Sequence, residues 1–435
     1  MSGSGWFRRK QTLLANSETS AANEASAAKR FWQAFSTPRP LKRRGTALTA
    51  SGAVLVLGAG VMIVAFASPG SHASLVSSAA QVNENKPLQP AAGLQLVSMT
   101  PAAGVKGVIG TNPIRVQFSA PLSASSPMPT LSPSIPGHWA VQGNAAVFTP
   151  TVGYLENTRV TVNIPGGLAG VMSAAGATAG DGGTLGSNLS QSFTTGWFST
   201  MRLQQLLAQL GYLPMTWTPA SGRAVSPAVS PADAKAELAA AYSAPAGTFS
   251  WQSGYPWDLT SQWKAGSANI LNVGAIRAFE SVSGMTMDGI AGNTVWAHLF
   301  TAVAKGQNNP NGYTYALASQ HYPESLTVWH NGRVVLKTAA NTGIPESPTV
   351  DGTFPVYLKY YFSYMQGTNP DGSKYDDPVY YANYFNGGDA VHQFDRSSYG
   401  SYQSLGCVEL PWDSAKTAYS YLSYGSLVTV TGPVA

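Results

Sequence analysis

The sequence predicts a multidomain, mainly β protein with an N-terminal transmembrane helix, a β-sandwich, a small three-helix domain and a C-terminal β-rich domain. Three observations predict this class. The chain has 435 residues, which is too long for one ordinary core. It holds 45 glycines and 29 prolines and is only 10% charged, a mix that suits β-rich, loop-rich extracytoplasmic domains. Its apolar pattern also changes along the chain, from one long run to alternation, then helical spacing, then alternation again.

Residues 1–44 are predicted to form a basic cytoplasmic tail. They carry nine Lys or Arg and two Glu, whereas the rest of the chain carries 16 Lys or Arg and 18 Asp or Glu. A basic tail can bind nucleic acid, but this one directly precedes an apolar segment, which favours a topology signal. We therefore predict no nucleic-acid partner.

Residues 45–68 are predicted to be a transmembrane anchor. The segment Thr46–Ala67 has no charged residue, and about twenty such residues span a bilayer as a helix. Lys42-Arg43-Arg44 comes directly before it, which predicts a single-pass membrane protein with a cytoplasmic N-terminus and an exported C-terminal part. Ala65-Phe66-Ala67 resembles a signal-peptidase site, so cleavage stays open as an alternative. Residues 69–92, rich in Pro, Ser, Ala and Asn, are predicted to be a linker.

Residues 93–196 are predicted to form the β-sandwich. Short alternating runs such as Ile114–Phe118 and Arg159–Ile164 are separated by Pro, Gly and Asn at turn-like spacing. This spacing is typical of a sandwich. The run from Thr100-Pro101 to Tyr154 resembles the bacterial Ig-like domains of envelope proteins. No residue in this segment indicates chemistry.

Residues 197–310 have helical spacing. Four leucines between Leu203 and Leu210 lie at positions i, i+3, i+4 and i+7, which predicts an amphipathic helix that ends at Gly211. A second helix is predicted over Val273–Ser283. A third is predicted to follow the turn that begins at Gly284 and to contain a tryptophan.

This helical segment resembles the three-helix peptidoglycan-binding domain. The resemblance rests on a helix followed by Leu210-Gly211-Tyr212 and on the turn that begins Asp288-Gly289. The segment departs from the family at Glu280, where glutamine is usual, and in a long insertion over about residues 216–268. The resemblance implies that the segment binds glycan.

Residues 311–435 return to β character. Ser325–Leu336 is predicted to be a hairpin with Asn331-Gly332 at its tip, one of the strongest short hairpin signals. A helix is predicted over Ser414–Tyr421 and a strand over Leu427–Val430.

The single cysteine of the chain, Cys407, lies in this segment, 15 positions after His392. A lone cysteine cannot form an intramolecular disulfide or a multi-cysteine zinc site. No spacing of His, Asp or Glu suggests a metal. Cys407 is therefore either a nucleophile or an inert buried thiol.

The C-terminal segment resembles the catalytic domain of the L,D-transpeptidases, the YkuD-like fold. The family motif is a histidine, a loop, and then Ser/Thr-His-Gly-Cys, an apolar residue and Asn or Arg. His392 takes the place of the first histidine, and the positions that match the second part are Ser404, Gly406, Cys407 and Val408. Three features depart from the family: Leu405 replaces the motif histidine, Glu409 replaces Asn or Arg, and the loop 393–403 is short.

The resemblance implies a role for each matched residue. Cys407 is expected to be the nucleophile and His392 its base, with the Gln393 carbonyl accepting a hydrogen bond from the second ring nitrogen of His392. The backbone N–H groups of Gly406 and Cys407 are expected to bind the oxyanion, with Ser404 assigned to the same positioning group.

The resemblance implies no cofactor. We further predict that aromatic residues of the run Tyr380–Phe385 wall the cleft and bind substrate, namely Tyr381, Tyr384 and Phe385.

The function predicted from these residues is an L,D-transpeptidase that forms an acyl-enzyme on Cys407 and makes 3→3 cross-links between peptidoglycan stem peptides. The predicted partners are peptidoglycan, both stem and glycan, and the membrane. Two alternatives stay open: a non-catalytic peptidoglycan-binding envelope anchor, and an L,D-carboxypeptidase in which water replaces the acceptor amine. The sequence does not predict the oligomeric state.

Overall fold

The computed structural model describes residues 93–174, 183–222 and 231–432. The predicted tail, anchor and linker, residues 1–92, lie outside this part of the chain. Within the described ranges, no helix is long and apolar enough to cross a bilayer.

The first part of the described chain is the predicted β-sandwich. Its strands are β1 Leu96–Thr100, β2 Ile114–Phe118, β3 Thr130–Ser132, β4 Gly137–Gln142, β5 Ala145–Pro150, β6 Arg159–Ile164 and β7 Leu189–Thr194. They form two antiparallel sheets, in the orders β1-β2-β5-β4 and β3-β6-β7. On β2 and β6 alternate residues are buried, and these residues form one core with those of the other strands. The sandwich prediction is confirmed.

The middle part contains the three predicted helices and an insertion. In chain order its elements are α1 Thr200–Gln209, β8 Met215–Pro219, α2 Pro231–Tyr242, β9 Gly247–Trp251, α3 Trp257–Thr260, α4 Ile270–Val282 and α5 Asn293–Lys305. The predicted helices correspond to α1, α4 and α5. The insertion between α1 and α4 holds α2, α3 and the two-stranded antiparallel sheet β8–β9.

A buried ion pair ties this insertion to α1. The Arg202 guanidinium on α1 is fully buried and bonds to the carboxylate of Glu237 on α2, whose side chain is 8% exposed. Arg202 Nη1 also donates to Gln205 Oε1 over 3.2 Å. The two buried charges stabilise each other. Burying either charge without its partner would cost several kcal/mol, on the order of 3–5 kcal/mol.

Replacing Glu237 with Gln is expected to destabilise the protein. The change leaves the Arg202 guanidinium buried without its counter-charge, which lowers the free energy of unfolding by about 3–5 kcal/mol. Urea-induced unfolding followed by tryptophan fluorescence measures this loss. The matched control is the exposed Glu346→Gln, expected to change the free energy by less than about 0.5 kcal/mol. Equal effects of the two substitutions would contradict the prediction.

The C-terminal part is built on two β-sheets. Its elements are β10 Thr314–Ser319, β11 Ser325–His330, β12 Arg333–Ala339, β13 Gly352–Pro355, β14 Leu358–Thr368, β15 Lys374–Asn386, β16 Asp389–Gln393, β17 Val408–Leu410, α6 Trp412–Tyr421 and β18 Leu427–Thr431. The first sheet has the order β12-β11-β10-β18-β13, and the second has the order β14-β15-β16-β17. β10 pairs parallel to β18, and β16 pairs parallel to β17.

The predicted hairpin, helix and final strand are confirmed as β11–β12, α6 and β18. At the hairpin tip Asn331 and Gly332 have φ of 48° and 76°. Two successive left-handed residues match the right-handed twist of the flanking strands, which explains the Asn-Gly pair. Between the two sheets, Val328, Val391 and Val408 are fully buried in one core that also includes the apolar face of α6. This core fixes the positions of β16 and β17.

The middle part and the C-terminal part share a hydrophobic core. Tyr315 on β10 and Leu427 on β18 are fully buried in the same cluster as Leu271 and Phe279 of α4. The cluster therefore continues from the helices into the first sheet.

Candidate active site

A cavity of about 650 Å³ lies over the second sheet of the C-terminal part. Its wall is formed by the β14–β15 hairpin, by β16 and β17, and by parts of the loop that joins β16 to β17. Both Cys407 and His392 lie on this wall.

The parallel pairing of β16 with β17 positions these two residues. Val391 pairs with Val408, and His392 pairs with Glu409. Cys407 immediately precedes β17, and its side chain lines the same cavity as those of His392 and Glu409. The pairing of β16 with β17 therefore brings Cys407 and His392 to one cavity wall.

The His392 ring is held by its own backbone neighbour. Nδ1 lies 2.8 Å from the Gln393 carbonyl oxygen, the partner predicted from sequence. Because a carbonyl only accepts hydrogen bonds, Nδ1 carries the proton and Nε2 holds the lone pair. Burial lowers the pKa of His392, although the Gln393 carbonyl and the charge of Glu409 oppose this effect. The resting ring is therefore a neutral base.

The Cys407 thiol is held in its protonated form. Burial raises the pKa of Cys407 to about 12, the amide of Ala390 lowers it, and the charges of Asp389 and Glu409 raise it further. Sγ lies 3.9 Å from the Gly388 carbonyl oxygen and from Met365 Sδ. No hydrogen bond joins Sγ to His392 in the part of the chain that the structure describes. The resting site therefore pairs a neutral thiol with a neutral imidazole across one cavity.

Ser404 closes the turn that presents Cys407. Its Oγ donates to the Cys407 carbonyl oxygen over 2.6 Å and accepts from the Gly406 N–H over 3.2 Å. The Gly406 N–H, predicted to bind the oxyanion, is bonded to Ser404 Oγ in the resting site, and its oxyanion role stays a prediction. The Cys407 N–H is the donor that is left from the predicted pair, and Ser404 acts on the backbone of the turn.

Gly406 is required by the shape of this turn. Its φ is +114°, and a Cβ at this position would lie 2.5 Å from Asp389 Oδ1. A side chain there would be strained and would collide with the carboxyl group. Asp389 therefore packs directly against the backbone that carries the thiol.

Only one of the three predicted substrate-binding aromatics lines the cavity. Tyr384 lies on its wall, whereas Tyr381 and Phe385 do not. Tyr381 is buried against Trp412 and Tyr419, with ring centroids 5.3 and 5.8 Å away. At Tyr381 φ is +58° and the register of β15 with β16 shifts nearby, so the side chains of this run do not simply alternate.

Phe385 lies in the core between the two sheets. It is 2% exposed, and its ring centroid lies 6.0 Å from that of Phe354. The prediction that Tyr381 and Phe385 wall the cleft is therefore wrong.

Sequence reasoning missed an ion pair on the cavity wall. Arg396, in the loop after β16, donates from Nε and Nη2 to the two carboxylate oxygens of Glu409 over 2.8 and 2.7 Å. The signal was the departure from the family motif at Glu409, because a nearly buried glutamate needs a cationic partner. Its partner could not be named from sequence, since the loop path was unknown.

A second residue that sequence reasoning missed is Asp389. It lies on the cavity wall, and Oδ2 accepts from Asn386 Nδ2 over 3.1 Å. Burial raises the pKa of Asp389 to about 7. Among the described residues, no group of three or more His, Cys, Asp or Glu side chains is placed to hold a metal ion.

Two family models match the chain over separate ranges. Residues 315–430 match the L,D-transpeptidase catalytic domain, and residues 91–195 match the bacterial Ig-like domain. No curated protein matches the chain. The peptidoglycan-binding resemblance of residues 197–310 stays a prediction.

Solved structures of L,D-transpeptidases resemble the chain at low TM-scores. An L,D-transpeptidase from Mycobacterium smegmatis is 15% identical, with 78% of this chain and 100% of that chain covered and a TM-score of 0.26. L,D-transpeptidase 3 from Mycobacterium tuberculosis is 15% identical, with 78% and 98% covered and a TM-score of 0.26. The catalytic domain of the E. faecium L,D-transpeptidase is 29% identical, with 27% and 96% covered and a TM-score of 0.26.

The similarity to these two families lies in the matched ranges. The range 315–430 includes both Cys407 and His392, and the range 91–195 covers the β-sandwich. By these matches, residues 91–195 are similar to bacterial Ig-like domains, and residues 315–430 are similar to the catalytic domain of the L,D-transpeptidases.

Proposed function

We propose that the protein is an L,D-transpeptidase that acts on peptidoglycan stem peptides through an acyl-enzyme on Cys407. One observation carries the proposal. His392 on β16 and Cys407 at the start of β17 line a single cavity, with Nδ1 of His392 anchored so that Nε2 is the basic nitrogen. The match of residues 315–430 to the L,D-transpeptidase catalytic domain supports the reaction class.

In the first half-reaction Cys407 Sγ attacks the carbonyl carbon of an L-centre–D-centre peptide bond. The thiol proton passes to His392 Nε2 as the carbon–sulfur bond forms, because the thiol is protonated at rest. The Cys407 N–H stabilises the oxyanion. The carbon–nitrogen bond then breaks, His392 returns its proton to the leaving amine, and D-Ala departs from the thioester.

In the second half-reaction the amine of a neighbouring stem attacks the thioester. A carbon–nitrogen bond forms, the carbon–sulfur bond breaks, and the proton lost by the amine returns to the sulfur through His392. The product is a 3→3 cross-link. No step needs a cofactor.

The remaining segments fit a function in the cell wall. We propose that residues 45–68 anchor the chain in the cell membrane with residues 1–44 in the cytoplasm. The Ig-like sandwich would then be a spacer, and the helical segment 197–310 would bind glycan. The residues that match those of the peptidoglycan-binding family support this last role.

Mass spectrometry of the full chain tests the proposal. After incubation with a disaccharide-tetrapeptide ending in D-Ala, we expect an adduct equal to the substrate without D-Ala, located on the peptide that contains Cys407. Free D-Ala should appear together with a cross-linked dimer, whereas a hydrolysed tripeptide without dimer would indicate an L,D-carboxypeptidase. Absence of both adduct and D-Ala would overturn the proposal.

A second candidate function is a non-catalytic peptidoglycan-binding anchor. The missing hydrogen bond between Sγ and His392 and the raised pKa of Cys407 favour it. This function predicts that Cys407→Ala leaves peptidoglycan pull-down unchanged and that the wild type releases no D-Ala. Iodoacetamide labelling alone does not separate the two functions, because both predict a slowly reacting thiol in the resting site.

A further inference from the structure

The guanidinium of Arg396 is held on three sides. Glu409 accepts from Nε and Nη2, the Gln403 carbonyl accepts from Nη2 over 3.0 Å, and Cζ lies 4.6 Å from the ring centroid of Phe394. A planar fork fixed in this way has little freedom to turn. The side chain of Arg396 therefore presents one defined edge to its surroundings.

The guanidinium edge of Arg396 that makes none of these bonds carries the two N–H groups of Nη1. No hydrogen bond from Nη1 is found within the described part of the chain. The Arg396 side chain is 30% exposed and lies on the cavity wall, whereas Glu409 is only 6% exposed. These donors are thus accessible from the cavity, while the carboxylate that fixes them is nearly covered.

Arg396 is also the one cationic side chain among the described residues that line the cavity. The other ionisable side chains on the wall are the carboxyls Asp377, Asp389 and Glu409, of which Glu409 is paired with Arg396, and the neutral His392. Among these side chains, Arg396 alone therefore offers a positively charged donor to an anionic group that enters the cavity. A guanidinium edge binds planar anions such as carboxylates with geometric specificity, and a peptide ends in a carboxylate.

The spacing favours one carboxylate of the substrate. Glu409, which holds Arg396, is two residues after Cys407, at most about 7 Å between Cα atoms. In the leaving residue, the terminal carboxyl carbon is three bonds from the scissile carbonyl carbon, roughly 3–4 Å away. A peptide whose carbonyl lies at Sγ can therefore extend its terminal carboxylate toward Arg396.

We propose that Arg396, held by Glu409, is a substrate-binding residue that donates from Nη1 to the terminal carboxylate of the residue that leaves the stem peptide. This inference rests on the proposed function, because it assumes that the stem peptide enters this cavity. It makes the free carboxylate of the donor stem a requirement for binding.

Binding to the full chain with Cys407→Ala tests the inference without turnover. Isothermal titration calorimetry compares a disaccharide-tetrapeptide ending in D-Ala with its C-terminal carboxamide, and the carboxamide is expected to bind about tenfold more weakly. In a chain that also carries Arg396→Gln and Glu409→Gln, the acid form should weaken about tenfold while the carboxamide is unchanged. The paired change removes the guanidinium without leaving Glu409 buried and unpaired.

The control is Arg333→Gln, an exposed arginine on β12, which should keep the tenfold preference. A third ligand, amidated at an internal carboxylate of the stem, separates the possible sources of the anion. Equal binding of acid and carboxamide, no binding of either, or a preference that follows the internal carboxylate would each overturn the inference. A wild type that prefers the acid to the carboxamide but releases no D-Ala would contradict the proposed function and leave this inference standing.

Discussion

Replacing Cys407 with Ala is expected to abolish acyl-enzyme formation and to lower D-Ala release by at least about 10³-fold. Cys407 is the sole cysteine of the chain, so no other thiol can take its place. Its Sγ contacts the Gly388 carbonyl oxygen and Met365 Sδ only at 3.9 Å, so losing these two contacts costs little stability. Mass spectrometry of the intact chain and an assay for D-Ala measure the two effects.

Cys407→Ser is the matched variant. It keeps a nucleophile in nearly the same place, but its hydroxyl ionises far less readily than a thiol, so D-Ala release should fall almost as far. Thermal unfolding of both variants should match that of the wild type. Continued D-Ala release by Cys407→Ala would show that the nucleophile is another group.

Replacing His392 with Ala is expected to lower kcat/KM for acylation by about 10²–10⁴-fold. The pKa of the Cys407 thiol is raised to about 12, so almost no thiolate exists near neutral pH without a base. His392 must be neutral to accept the proton, and burial lowers its pKa from the ordinary 6.5. The wild-type rate should therefore fall as the pH drops through a value below 6.5, and this acid limb should be absent in His392→Ala.

In the variant the rate should rise steadily with pH instead, since only direct ionisation of the thiol then supplies the nucleophile. A pH profile of kcat/KM for both proteins checks this. The matched control is His298→Ala, an exposed histidine on α5, which should keep the wild-type profile. If His392→Ala lowered the rate but kept the acid limb, His392 would not be the base.

The elements that the sequence predicted well are those whose signals are local. The Asn331-Gly332 hairpin tip and the helix α1 depend on neighbouring residues, and both are found where they were predicted. The motif also selected Cys407 and His392 from the sequence, and both side chains line the same cavity. These two residues of the cavity wall were therefore predictable.

The rest of the wall depends on pairing between distant strands. Met365 and Asp377 reach the cavity because β14 pairs with β15 over ten positions. No local sequence pattern predicts this pairing. Tyr381 was misplaced because its positive φ interrupts the alternation of β15. Arg396 was missed because its partner, Glu409, lies 13 positions along the chain, across the loop.

The hydrophobic core that α4 shares with β10 and β18 joins the helices to the first sheet. We therefore expect the helices and this sheet to unfold together. Tyr255 Oη also donates to the Tyr313 carbonyl oxygen across this junction, over 3.0 Å. A fragment cut at residue 311 would expose Tyr315 and Leu427 to water and lose their burial against Leu271 and Phe279. The helical segment therefore stabilises the first sheet, whose other face packs through Val328 and Val428 on the core that holds Val391 and Val408 beside Cys407.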